Sequence, residues 1–150
     1  MQRYSPFPHS ALDSNSRFSG SEAYVKLRIL IADDNPAVLR QIVSLLGKEF
    51  DIVATAFDGG SALEAIRRFK PDVAVLDLRM PVLDGIELTR ALQKEPHCPA
   101  VVICSVEDEQ EFVETAILAG ALGYVSKTHV AKDLIAAVNF AAEGQSFVSL

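Results

Sequence analysis

The side chains able to do chemistry in this chain stand at the ends of apolar runs. "LRILIA" (27–32) leads into Asp33 and Asp34, and "VAVL" (73–76) into Asp77. "AVVIC" (100–104) leads into Ser105, and "LGYVS" (122–126) into Lys127. A run such as "VAVL" has the composition of a strand buried on both faces, and a charge taken out of water beside it is costly unless paired. Three carboxylates held together repel and raise one another's pKa, and a divalent cation removes that conflict. An all-oxygen ligand set that leaves room for water suits Mg2+. With the cation bound, one carboxylate can attack phosphorus and form an aspartyl phosphate. Lys127 and the cation would stabilise charge on the equatorial oxygens, and the Ser105 hydroxyl would hydrogen-bond one of them.

Taken singly, each residue has an ordinary explanation. Asp34 could help cap a helix, Asp77 could sit in a polar turn, Ser105 could be a cap, and Lys127 a solvated charge. Their joint placement is what argues for a site. In open α/β sheets, ligands bind beyond the carboxyl ends of the strands, where the strand order reverses. An order of 2-1-3-4-5 puts all of these positions on one rim. The second strand, which ends in the uncharged Ala54, Thr55 and Ala56, becomes the outer one.

The elements that must position these residues are legible in the pattern. After "LRILIA", Asn35-Pro36 marks a helix start, and Val38, Leu39, Ile42, Val43 and Leu46 form its apolar stripe up to Gly47. "DIVATA" (51–56) is the second strand, followed by a turn at Asp58-Gly59-Gly60. Ser61 and Glu64 have capping-box spacing for the second helix, with Ala62, Leu63, Ile66 and Phe69 inward and Pro71 barring continuation. The third helix starts near Asp84-Gly85. The fourth spans about 108–119, with Phe112, Val113, Ala116 and Ile117 inward. The fifth starts near Thr128 or His129 and ends at Gly144. Five alternations of strand and helix predict a doubly wound, five-stranded parallel sheet with helices on both faces, a flavodoxin-like α/β fold.

Composition narrows the classes. The chain has 150 residues, 49% of them hydrophobic, no Trp and a net charge of −6. In residues 1–25 two arginines balance two acids, so the whole charge falls on the rest. An acidic domain is a poor match for DNA or an anionic membrane and suits a cation or a basic partner. No apolar run approaches the roughly 18–20 residues of a membrane span. Cys98 and Cys104 are separated by a strand of roughly 20 Å at about 3.3 Å per residue. That exceeds the Cα separation of about 7 Å that a disulfide tolerates. Two thiols fit a reducing cytoplasm. Residues 1–25, rich in serine and without apolar period, read as a flexible tail, with the folded domain over 26–145 and a linker or chain end over 146–150.

"ILIADD", "VAVLDLRMPVLDG", "VVICS" and "GYVSK", in this order, resemble the receiver domain of bacterial two-component response regulators. The resemblance covers about residues 26–145. The ending "AAEGQSFVSL" is similar to the end of the receiver in the NarL/FixJ-like (LuxR-type) subfamily. The resemblance implies that Asp77 is the phospho-acceptor and Asp34 a direct Mg2+ ligand, with Asp33 acting largely through water. The Arg79 backbone carbonyl would be a further ligand, Ser105 and Lys127 would hold the phosphoryl group, and Ser105 with Tyr124 would form the switch. Phosphorylation would draw Ser105 inward, let Tyr124 fill the vacated space, and so alter the surface of helix four, strand five and helix five. The donor would be a phosphohistidine on a sensor histidine kinase, and a homodimer is compatible with the family. Such a domain catalyses its own phosphorylation and slow dephosphorylation.

Two departures from the family pattern stand out, at Thr128 and Val106. Thr128 follows Lys127 where many receivers carry proline, which leaves the geometry of the Lys127–Thr128 peptide open. Val106 stands where Ala or Gly is common and would narrow the approach of water. Arg79 and Glu107 flank the site and would tune hydrolysis. A haloacid-dehalogenase-type phosphohydrolase would need a second Asp where Arg79 stands, and a dinucleotide-binding domain would need a Gly-rich loop after the first strand. The output would be control of transcription through a helix-turn-helix domain outside these residues, or protein–protein contact by a stand-alone receiver. No direct nucleic-acid contact is expected from residues 1–150.

Overall fold

The computed structural model describes residues 25–150, so the tail expected over residues 1–25 lies outside the described residues save for Val25. The elements follow in order: β1 (Arg28–Ala32), α1 (Pro36–Leu46), β2 (Asp51–Ala56), α2 (Gly59–Phe69), β3 (Val73–Asp77), α3 (Gly85–Leu92) and β4 (Ala100–Ser105). Then come α4 (Gln110–Ala119), β5 (Gly123–Ser126), a 3-10 turn (Lys127–His129), α5 (Val130–Ala142) and β6 (Phe147–Ser149). The sheet order is β2-β1-β3-β4-β5-β6, and all pairings are parallel. The expected 2-1-3-4-5 arrangement is therefore present. A sixth strand is added at the β5 edge, where the sequence suggested only a linker.

The alternation of strand side chains builds two apolar layers. Ile29, Ile31, Val73, Val75 and Val102 face α1 and α5, meeting Leu39, Ile42, Leu134 and Val138. Leu30, Ala74, Leu76, Val101 and Ile103 face α2, α3 and α4, meeting Ile66, Leu88, Leu92 and Val113. β1, β3 and β4 are covered on both sides, which is why their sequences are continuous apolar runs. β2, at the edge, is only half-buried along most of its length.

Helix starts differ in detail from expectation. Asn35 caps α1 as foreseen, its Oδ1 accepting from Ala37 and Val38 N–H at 2.9 and 3.3 Å. The Ser61–Glu64 box does not form. Asp58 caps α2 instead, accepting from Ser61 N–H at 2.7 Å and from Ser61 Oγ at 3.0 Å, because α2 begins three residues earlier, at Gly59. The capping box forms at α3, where Asp84 accepts from Glu87 N–H at 2.7 Å and Glu87 Oε1 accepts from Asp84 N–H at 2.9 Å. Phe69 and Ile117, expected inward, are 36% and 42% exposed. Phe69 lies three residues beyond Ile66, the last buried side chain of α2, and Ile117 follows directly on the buried Ala116, at the border of the α4 stripe.

The β3–α3 connection is built tightly around the end of β3. Gly85 N–H bonds Leu78 O at 2.8 Å, and a Cβ at Gly85 would sit 2.4 Å from Asp77 O. Only glycine permits that approach. Three residues earlier, Val82 has φ of +73°, in a turn closed by Leu83 N–H to Pro81 O at 2.9 Å. A β-branched residue in that region is strained.

Two outcomes follow for stability in urea. Gly85→Ala should lose about 1–3 kcal/mol, since the contact is with backbone that cannot step aside. Val82→Gly should gain about 1 kcal/mol, because relief of roughly 1–3 kcal/mol of strain exceeds the roughly 0.5–1 kcal/mol entropic cost of glycine. Val82 is 77% exposed, so little packing is lost.

Candidate functional site

The register of the sheet brings the chemical residues to one rim. Ala32 lies opposite Leu76, so Asp33 emerges beside Asp77, the last residue of β3. Asp77 is paired with Cys104 of β4, and Ser105 with Ser126 of β5, one residue before Lys127. Asp33 and Asp77 are buried, at 1% and 6% exposure, whereas Asp34 is exposed. Asp33, Asp34 and Asp77 each offer an oxygen within 4.8 Å of the others.

One cation answers this charge directly. Lys127 Nζ lies 2.7 Å from Asp33 Oδ2 and 3.2 Å from Asp77 Oδ1. The Asp33 contact is an ion pair by distance but does not have hydrogen-bond angles, so buried Asp33 Oδ2 is left without a directed donor. Asp33 Oδ1 accepts from Asn35 N–H at 2.9 Å. An undirected buried carboxylate oxygen among three clustered carboxylates is a donor set that Mg2+ fits.

The protonation behaviour follows from this crowding. Burial first, and the Asp33 charge second, push the Asp77 carboxyl up to about 6, against the pull of Lys127 and the Arg79 backbone N–H. Burial alone would lower the Lys127 ammonium, but Asp33 and Asp77 outweigh it and hold it above its ordinary value. Beneath the site, burial pushes the Cys104 thiol up to about 12, so it is inert at neutral pH. Cys98 and Cys104 are not joined in a disulfide.

The flanking residues form a second group around the β4–α4 loop. Ser105 is fully buried, and its Oγ accepts from Glu107 N–H at 2.9 Å. Tyr124 points into the core, and its hydroxyl donates to Glu107 O at 2.5 Å. The Glu107 carboxylate takes Arg79 Nε at 3.2 Å, and the Arg79 guanidinium lies 5.3 Å from the centre of the Phe112 ring. Glu107 thus meets Ser105, Tyr124 and Arg79 through three different groups. Its flanking position was legible in the sequence, but this convergence was not, because two of the three contacts use backbone atoms. Val106 is 68% exposed. The Lys127–Thr128 peptide is trans, as are all peptides among the described residues. Thr128 lies in the 3-10 turn, with Ser126 Oγ accepting from its N–H at 3.3 Å.

The raised Asp77 pKa carries a sign. Between about pH 4 and 6 the unfolded chain ionises first, so Asp77 makes the fold less stable as pH rises, and the loss is complete above about 6. Asp77→Asn should therefore stabilise the fold at pH 8, with divalent cations chelated, by about 2–3 kcal/mol. The gain should vanish near pH 4. Urea denaturation of both proteins across this range measures it.

Residues 29–139 match the response regulator receiver domain family. The chain is 33% identical over 125 residues to the transcriptional regulatory protein DegU of Brevibacillus brevis, covering 82% of this chain and 53% of that protein. Among solved structures, it is similar to a LuxR-family two-component response regulator from Aurantimonas sp. SI85-9A1. That likeness has a TM-score of 0.77 and 31% identity, covering 81% of this chain and 89% of the other. It is also similar to the signal receiver domain of NarL from Mycobacterium tuberculosis, with a TM-score of 0.71 and 32% identity over 77% of this chain and 98% of the other. The chain spans only a little over half the length of curated relatives such as DegU and NarL, at 53% and 58%. Fold, rim and sequence agree, and the chain belongs to the response regulator receiver domain family, in its NarL/LuxR-type branch.

Proposed function

We propose that this chain is a phospho-accepting signalling module in which Asp77 receives a phosphoryl group from a phosphohistidine of a sensor histidine kinase. The observation that carries this reading is Lys127 Nζ held within 3.2 Å of buried Asp77, in a cluster of three carboxylates within 4.8 Å. Asp77 Oδ attacks phosphorus, the bond from phosphorus to the donor breaks, and the donor leaves with its electron pair. Asp33, Asp34, Asp77 and the Arg79 carbonyl would hold Mg2+, which when bound neutralises the clustered negative charge. Lys127 leaves its carboxylate partners for a phosphoryl oxygen, and the Ser105 hydroxyl takes another. Ser105 and Tyr124 share the Glu107 backbone as a hydrogen-bonding partner, so a shift of one reaches the other and the α4–β5–α5 surface. Val106, Arg79 and Glu107 stand at the mouth and tune the approach of hydrolytic water.

The receiver runs from residue 26 through β6 at Phe147–Ser149, a little beyond the boundary at 145 expected from the sequence. Among the described residues no helix is long and apolar enough to cross a membrane, and a cytoplasmic setting fits a kinase partner. Output is exerted through a longer protein that controls transcription, as the names of its relatives suggest. These residues themselves do not touch nucleic acid, in keeping with a net charge of −6.

Acetyl phosphate with Mg2+ should add one phosphoryl group, read by intact mass, and Asp77→Asn should take none. Full labelling of Asp77→Asn would overturn the assignment. Millimolar Mg2+ should raise the melting temperature of the wild-type protein, because it binds the folded cluster only. A melting temperature indifferent to Mg2+ would count against the metal site.

A further inference from the structure

The last strand of the sheet is held by a polar cluster outside the phospho-acceptor rim. β6 pairs in parallel with β5, with Tyr124 opposite Val148 and Val125 opposite Ser149. It has three residues, and Val148 is 46% exposed, so apolar burial holds it only weakly. An edge-to-face contact of Phe140 with Phe147, at 5.3 Å between ring centres, supports one end. At the other end Ser149 Oγ donates to Asp133 Oδ2 at 2.5 Å and lies 3.1 Å from His129 Nδ1. A hydroxyl has one proton, and Asp133 takes it. The imidazole therefore donates from Nδ1, and the Ser149 hydroxyl is engaged on both sides.

His129 closes the 3-10 turn that Lys127 opens. The other side of that turn is tied by Ser126, whose Oγ lies 2.9 Å from Thr128 Oγ1. Lys127 thus reaches Asp33 and Asp77 from a three-residue turn tethered at both ends, and one tether is β6. We propose that Ser149 is a positioning residue whose hydroxyl, shared between Asp133 and His129, latches β6 to the Lys127 turn, so that docking of β6 and the state of Asp77 bias each other. The coupling half rests on the reading of Asp77 as phospho-acceptor. When a phosphoryl group draws Lys127 Nζ away from its carboxylates, the short turn carries the displacement to His129 and the bond at Ser149 Oγ changes. By linkage, loosening that bond alters how Lys127 meets the phosphoryl group. A three-residue edge strand with little apolar burial is the sort of element that opens locally without global unfolding.

The test uses the full 150-residue chain as wild type, Ser149→Ala and Ser149→Thr. Acetyl phosphate labelling with Mg2+ is timed by intact mass, and hydrogen exchange is read at the amides of residues 147–149. Losing the shared hydroxyl should speed exchange there by about 3- to 10-fold, with core amides unchanged. The same variant should shift the labelling rate of Asp77 by at least about 3-fold, a change that loss of a merely structural contact would not produce. Ser149→Thr, which keeps the hydroxyl, should restore both, and labelling of the wild type should itself change exchange at 147–149. Unchanged exchange in Ser149→Ala overturns the latch. Faster exchange with a wild-type labelling rate overturns the coupling. A wild type that takes no phosphoryl group overturns the reading of Asp77 and the coupling with it, while exchange still decides the latch.

Discussion

A single ammonium set among three carboxylates is the interaction around which this structure is arranged. Lys127 Nζ contacts Asp33 and Asp77, both buried, while Asp34 stands beside them in solvent. Like charges would not gather at such a rim unprompted, and the sheet forces them there. β1 and β3 are neighbours, so consecutive crossovers deliver Asp33 and Asp77 side by side. β5 lies two strands from β3, with β4 between them, and its end throws Lys127 across that gap. The aliphatic layers on both faces supply the free energy that keeps this repulsive edge assembled.

The parts behind the rim are shaped to the same end. Gly85 has no side chain because the start of α3 rests on the Asp77 carbonyl. The strained Val82 turn and the Asp84–Glu87 box then set where α3 begins. Asn35 both caps α1 and donates its N–H to Asp33, so one residue starts the helix and orients a carboxylate. The backbone following Asp77 is thereby held by the start of α3, and Asp33 beside it by the start of α1.

Glu107 joins the carboxylate rim to the side of the domain that carries α4 and β5. Its N–H goes to Ser105, its carbonyl to the Tyr124 hydroxyl, and its carboxylate to Arg79. Two of these bonds end on the backbone of one residue in a short loop, so Ser105 and Tyr124 share a hydrogen-bonding partner. At the outer edge of β5, β6 adds a further neighbour, with Ser149 hydrogen-bonded to Asp133 and His129. The sheet therefore extends beyond the five strands that the alternating pattern implied.

Much of this was determined by the sequence alone. Runs such as "VAVL" and "AVVIC" can be satisfied only by strands buried on both faces, and their alternation with helical stripes implies a doubly wound parallel sheet. Once that sheet is granted, the residues that end the strands must meet at its carboxyl rim. Asp33, Asp34, Asp77, Ser105 and Lys127 were therefore legible as a group. Details that depend on which atom faces which were decided by tertiary structure. The cap of α2 went to Asp58, and the convergence on Glu107 runs through backbone groups that every residue possesses. "SFVSL" carries too short an apolar run to announce a strand, and β6 exists because α5 returns it to the open edge of β5. Local pattern reports what a segment must bury, whereas pairing between distant segments appears only when the chain is folded.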